Sequence, residues 1–142
     1  AMERMANDRP TEIRRLTQAV LDGPGETAAT LRRAVEARAA RLAAGERADL
    51  PLPTELDDYV RKVALRATAV TDGDVAALRA AGYTENAVFE LTVAAALGAG
   101  LARLERGRLV LAAAGGHRDR AHPAPPPATS QTRQPNAAGS SR

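Results

Sequence analysis

Glu90 is the residue whose position raises the sharpest chemical question in this chain. It stands in the apolar run from Ala87 to Ala102. Counting about 100° per helical residue from Phe89, Val93 falls at about 40°, Leu97 at about 80°, Leu101 at about 120° and Glu90 at about 100°, inside that stripe. A carboxylate so placed must be paired, protonated or turned towards a wet cavity. Two readings follow: a structural ion pair, or the acid or base of a pocket. The same count from Leu56 puts Arg66 at about −80° and Tyr59 at about −60°, at the edge of an apolar face, while Arg61 and Lys62 point away. Arg66 is therefore the expected partner of Glu90, through a bidentate guanidinium that would pin two helices together. Asp74 and Tyr59 complete the candidate catalytic set. Support of a helix start is the simpler role for Asp74, and Tyr59 and Tyr83 read as core-edge rings with wet hydroxyls.

Other chemistries lack their residues. The chain has no cysteine, which removes disulfides, thiolate nucleophiles and thiolate metal sites together. His117 and His122 are the two histidines. They stand five apart in a Pro-rich stretch that lacks a rigid frame, a poor setting for a metal. No Gly-rich phosphate loop is present. The expected cofactor and metal content is none.

The elements that must position these groups are helical. A chain of 142 residues, 44% hydrophobic, with mean hydropathy −0.30, suits one soluble domain. One Phe, two Tyr and no Trp leave a core of Leu, Val and Ala, the last two-way useful as a strong helix former and a small packing unit. No stretch alternates β-branched and aromatic residues at period two, so the fold class expected is all-α, a compact bundle of about five to six helices. Residues 1–9 lack apolar rhythm and are expected to be disordered. A first helix starts near Thr11 and stops at Gly23-Pro24-Gly25; a second runs from Thr27 to Ala44, with Leu31, Val35 and Leu42 inward, Arg32 and Arg33 off the stripe, and Gly45 as its stop. Thr54 opens a third as its cap, Thr71 with Asp74 caps a short fourth closed by Gly82, and Thr84 caps a long one to about Arg106. Leu109 to Ala114 add a further turn or two. Gly98 and Gly100 point to close backbone approach by a neighbour. The domain is thus 10–114, and 115–142, rich in Pro, Gly, Ser and Arg, is expected to be a disordered tail.

Within that frame, Val70-Thr71-Asp72, Ala76-Ala77-Leu78-Arg79-Ala80-Ala81-Gly82-Tyr83-Thr84-Glu85 and Val88-Phe89-Glu90-Leu91-Thr92-Val93-Ala94-Ala95-Ala96 resemble the carboxymuconolactone decarboxylase and alkylhydroperoxidase D-like superfamily. The resemblance spans residues 51–107 and implies a helical fold and a homo-oligomer, a trimer or hexamer. The redox branch carries Cys-x-x-Cys-x-x-x-His at a helix start. Anchored on Gly82, those slots fall on Ala67, Val70 and Asp74, so a peroxidatic or resolving thiol is excluded.

A sequence pI of about 10.1 invites a nucleic-acid partner, but four of the 20 basic residues and one of the 17 acidic ones lie from Gly115 onward. The body before it is balanced at 16 of each, and the net charge of +3 belongs to the tail. Residues 71–102 outline a helix-turn-helix, yet Glu85 to Ala102 contain no Arg or Lys to meet a base edge. No nucleic acid is expected. The uncharged run Leu91 to Ala102 is too short for a bilayer, so no membrane is expected and the cytoplasm is the expected location. Two functions remain: a non-catalytic oligomeric or ligand-binding module that kept the fold without its thiols, or a cysteine-free enzyme, of lactone or acid decarboxylase type, with a pocket around Glu90.

Overall fold

The computed structural model describes residues 2–47 and 51–120, with side chains from 9 to 47 and from 51 to 116. Its elements are α1 (Met2–Asp22), α2 (Ala29–Ala43), α3 (Thr54–Arg66), a 3-10 turn (Ala67–Ala69), α4 (Asp72–Ala80) and α5 (Glu85–Arg120). Among the described residues there is no strand, and the fold is an all-α bundle. The expected tail beyond Arg120 lies outside the described residues.

Local chemistry sets most of the boundaries. At the end of α2, Gly45 has φ 73°, its N–H donates to Leu42 O, and Glu46 N–H donates to Arg41 O. Gly82 repeats this after α4, with φ 105° and bonds from Gly82 N to Arg79 O and from Tyr83 N to Leu78 O. Only a residue without Cβ takes these left-handed positions at no steric cost. Thr71 and Asp74 form the reciprocal capping box at the start of α4. Thr84 Oγ1 accepts from Ala87 N at 3.0 Å and caps α5. Thr54 does not cap: Pro53 holds the capping position of α3 and makes no side-chain bond, leaving Thr54 inside the first turn.

Two helices outrun their expected ends. α1 begins at Met2 and passes through Pro10, where residues 1–9 were expected to be disordered. Apolar rhythm detects a buried face, not a helix, and a proline removes one backbone bond without dissolving its neighbours. α5 continues through Gly107, Gly115 and Gly116 to Arg120, so the expected boundary at 115 falls inside a helix. At about 1.5 Å per residue it is about 54 Å long.

The core lies where α2 packs along α5, the most extensive pairing in the molecule, with α3 against both. Val35 and Ala39 of α2 meet Leu91, Ala94, Ala95 and Ala99 of α5, and Leu56, Val60 and Ala64 close the third side. The crossing is tight at Gly98, where a Cβ would stand 2.2 Å from the carbonyl oxygen of Glu36. Gly100, expected to serve the same purpose, has nothing within 4 Å of that position. The buried face of α5 is therefore Leu91, Ala94, Ala95 and Gly98, whereas Phe89 is 69% exposed. Beyond the bundle, Leu104, Leu109, Val110 and Leu111 are exposed too. By length and composition, Glu85–Gly116 suffices to cross a membrane, with 39% of the apolar window buried inside the bundle. The Leu91–Ala102 run had suggested a shorter apolar length because it stops at Glu90 and Arg103, beyond which further apolar residues follow.

Candidate functional site

The loop between α1 and α2 is built around two side chains. Arg32, in the first turn of α2, is 3% exposed. Its Nε donates to Leu21 O at 3.1 Å, Nη2 to Gly23 O at 2.5 Å and Nη1 to Thr27 O at 2.5 Å. One guanidinium thus satisfies the end of α1 and two carbonyls of the Gly-Pro-Gly loop. Glu90 of α5 meets the same loop from the other side. Its Oε1 accepts from Glu26 N at 2.8 Å, and its Oε2 accepts from Thr27 N at 2.9 Å and from Thr27 Oγ1 at 2.5 Å. Arg32 Nη1 stands 3.5 Å from Glu90 Oε2. Gly25 lies where a Cβ would be 2.6 Å from Glu90 Oε1 and 2.7 Å from Arg32 Nη1, so only glycine leaves room for the pair. Glu26 fastens the loop to the start of α5 by accepting from Thr84 Oγ1 and from Asn86 Nδ2.

The partner expected for Glu90 is corrected by this geometry. Arg66 is exposed, and Glu90 is paired with Arg32. The cause is position along the helix. α3 meets α5 through Tyr59 with Thr92 and through the Ala64 carbonyl with Arg103, which places the end of α3 near residue 103. Glu90 is 13 residues away, about 20 Å of helix. Arg66 has also left helical geometry, at φ −148° and ψ 58°, so an angular count carried to that residue no longer applies. Arg32, expected off the apolar stripe, is instead buried: three positions before Val35, it stands at about 60° round the helix, near enough to turn inward. Arg38, three positions after Val35, is likewise buried and pairs with Asp57 of α3, Nε to Oδ1 at 2.8 Å.

The other candidates sit apart from Glu90. Asp74 accepts from Lys62 Nζ at 2.7 and 2.9 Å and from Thr71 N at 2.8 Å. The Lys62 hydrogen bond, with the backbone of Thr71, holds its carboxyl down at about 2. Lys62 had been expected to point away, and it instead ties α3 to α4. Tyr59 is buried, and its hydroxyl bonds Thr92 Oγ1 at 2.8 Å. Because Thr92 Oγ1 donates to Val88 O at 2.6 Å, the tyrosine is the donor in its bond to Thr92. Tyr83 packs half-buried on the core. Thus Glu90, Asp74 and Tyr59 have separate partners and form no shared constellation.

Glu90 does border a groove of about 190 Å³, lined by Ala19, Val20, Pro24, Arg32, Phe89, Glu90 and Val93. Its carboxyl is held below the usual range, first by the Thr27 hydroxyl and then by the Thr27 backbone, with burial opposing them and the Glu26 backbone and Arg32 adding lesser support. Among the described residues no cluster of His, Cys, Asp or Glu is able to hold a metal ion. The chain matches no known family model, no curated protein and no solved structure.

Proposed function

We propose that this chain is a non-catalytic helical module that acts by associating with its own kind, a cysteine-free relative of the superfamily it resembles. The observation that carries this reading is the state of Glu90. It is the one carboxylate lining the groove, and it already accepts three hydrogen bonds from the loop, out of about four acceptor sites a carboxylate offers. A general acid needs its proton near working pH, and a general base needs some basicity. Held low, first by the Thr27 hydroxyl, Glu90 is a poor acid, and with three of its acceptor sites taken by the loop it has little left to act as a base. It is a staple for the loop.

A second reading keeps the groove as a binding pocket, favoured by the apolar lining that Val20, Phe89 and Val93 give it. Glu90→Gln separates the two. As a staple, Glu90 loses charge-assisted bonds on substitution, and the melting temperature falls while self-association persists. If the variant instead melts like the parent and loses binding of a small carboxylic acid or lactone that the parent binds, the pocket reading replaces ours.

A further inference from the structure

α1 is fixed to the bundle near one end only. From Arg9 to Asp22, Leu21 is the one buried residue, Thr17 and Val20 are half-buried, and everything from Arg9 to Leu16 is exposed. Ile13 is 36% and Leu16 56% exposed, although both lie on the same face of the helix as Val20. Between Ala19 and Val20 of α1 and Phe89 and Val93 of α5 lies the groove of about 190 Å³, so even the last turns do not close fully on α5. What fixes this end is a set of polar bonds. Arg32 binds the carbonyls of Leu21 and Gly23, and Arg33 meets Asp22 twice, Nε to Oδ1 at 2.7 Å and Nη2 to Oδ2 at 2.5 Å. Glu90 binds the N–H groups of Glu26 and Thr27, while Glu26 accepts from Thr84 and Asn86 at the start of α5. All of these bonds attach within residues 21–27.

We propose that α1 and the loop to Thr27 form an arm that opens as one unit from a standing core of α2 to α5, with Glu90 and Arg32 as its catch. One guanidinium and one carboxylate span residues 21–27, so their bonds break together rather than singly. Opening takes one buried side chain, Leu21, out of a cluster centred on Val35, Ala39, Leu91 and Ala95. Gly23-Pro24-Gly25 is the segment that turns, because glycine on either side of the proline supplies the backbone freedom of a hinge. Once released, α1 has lost the packing from which a protein helix draws most of its stability, and it unwinds readily in water. Open, the arm also withdraws Ala19 and Val20, one wall of the groove beside Glu90. The arm opens whether or not the chain associates with itself.

Native-state amide exchange on the full chain tests the arm. The amides of residues 18–21 bond within α1, whereas those of Glu26 and Thr27 bond Glu90. Both groups should share one opening, with lower protection and a weaker dependence on denaturant than the amides of Val35, Leu91 and Ala95. Glu90→Gln should speed exchange about tenfold at residues 18–21 as well as at Thr27, as charge-assisted bonds become neutral ones. Leu16→Ala, at an exposed position, should leave the rates of residues 18–21 unchanged. A response to Glu90→Gln confined to Glu26 and Thr27 would mean that the catch holds the loop and not α1. Acceleration on Leu16→Ala would show packing along α1 and overturn its attachment at one end. The parent decides the central point without any substitution: if residues 18–21 have the protection and denaturant slope of Val35 and Ala95, α1 opens only with the core and there is no arm.

Discussion

Gly98→Ala is the substitution from which the packing argument is most exposed to failure. The added methyl would lie 2.2 Å from the carbonyl oxygen of Glu36, 2.9 Å from its carbon and 3.1 Å from its Cα. All three atoms are helix backbone, which has no rotamer to turn aside. α2 and α5 must therefore separate by about 1 Å, loosening Val35 and Ala39 against Leu91, Ala94 and Ala95. Overpacking of this kind costs about 1–3 kcal/mol, and rigid backbone puts it near the top of that range. Removing a helical glycine returns about 1 kcal/mol, leaving a net loss of about 2 kcal/mol. Gly100→Ala is the internal control. Two residues on in the same helix, it meets no atom, so in dilute, monomeric protein it should gain about 1 kcal/mol. Helix propensity cancels between the variants, and their difference of about 3 kcal/mol is the clash itself. At about 4 °C per kcal/mol the melts should stand roughly 12 °C apart. Equal melts, followed by circular dichroism at low micromolar concentration, would refute the close approach of α2 and α5.

Arg32→Ala leaves the carbonyls of Leu21, Gly23 and Thr27 without their donor and should cost about 3 kcal/mol in urea unfolding. Arg66→Ala, at an exposed position, should stay within about 0.5 kcal/mol of the parent; a large loss there would restore the discarded pairing. Acid should destabilise the fold. Glu90, Glu26 and Asp74 are all held below their ordinary values of 4.5, 4.5 and 3.8. Their stabilisation is complete above the unfolded pKa and is lost as pH falls through the folded one, which for Asp74 is about 2. Glu36, raised by burial, works the other way and recovers a part of the loss. A midpoint in urea that is flat from pH 5 to pH 2.5 would contradict these assignments. Gly25→Ala should lower stability by driving a methyl into the Glu90–Arg32 pair, and amide exchange should accelerate across Glu26 and Thr27.

The features legible in the sequence were those settled within four or five residues. Gly45 and Gly82 were read as helix stops because a left-handed residue there closes local backbone bonds, and the Thr71–Asp74 box is a bond between neighbours. The ends of α1 and α5 were not legible for a related reason. Pro10 and Gly107 each carry a local penalty, but flanking Leu, Ala and Arg favour helix strongly enough to outweigh one weak position. A breaker stops a helix only where its surroundings give the chain something else to do, as Gly23-Pro24-Gly25 does with Arg32 waiting to bind its carbonyls.

Glu90 was singled out on an argument that proved half right, and α5 explains which half. Periodicity locates a buried face by contrast with a polar one, and between Ala87 and Ala102 there is almost no contrast. The stripe through Phe89, Val93 and Leu97 looked like the core, yet Phe89 is exposed and Val93 and Leu97 are only half-buried. Glu90 consequently lies at the margin between two apolar faces, with its side chain 21% exposed, where a loop's N–H groups reach it and a buried salt bridge to α3 does not. The same lack of contrast gives α5 two faces that need covering, and its own chain supplies cover for one. α2 takes the side marked by Gly98. The side marked by Gly100 and Gly107 has no atom within 4 Å of where a Cβ would stand at either glycine, and at its Phe89 end it shares a groove with Val20 of α1, so a helix without polar contrast keeps one face covered and another largely open.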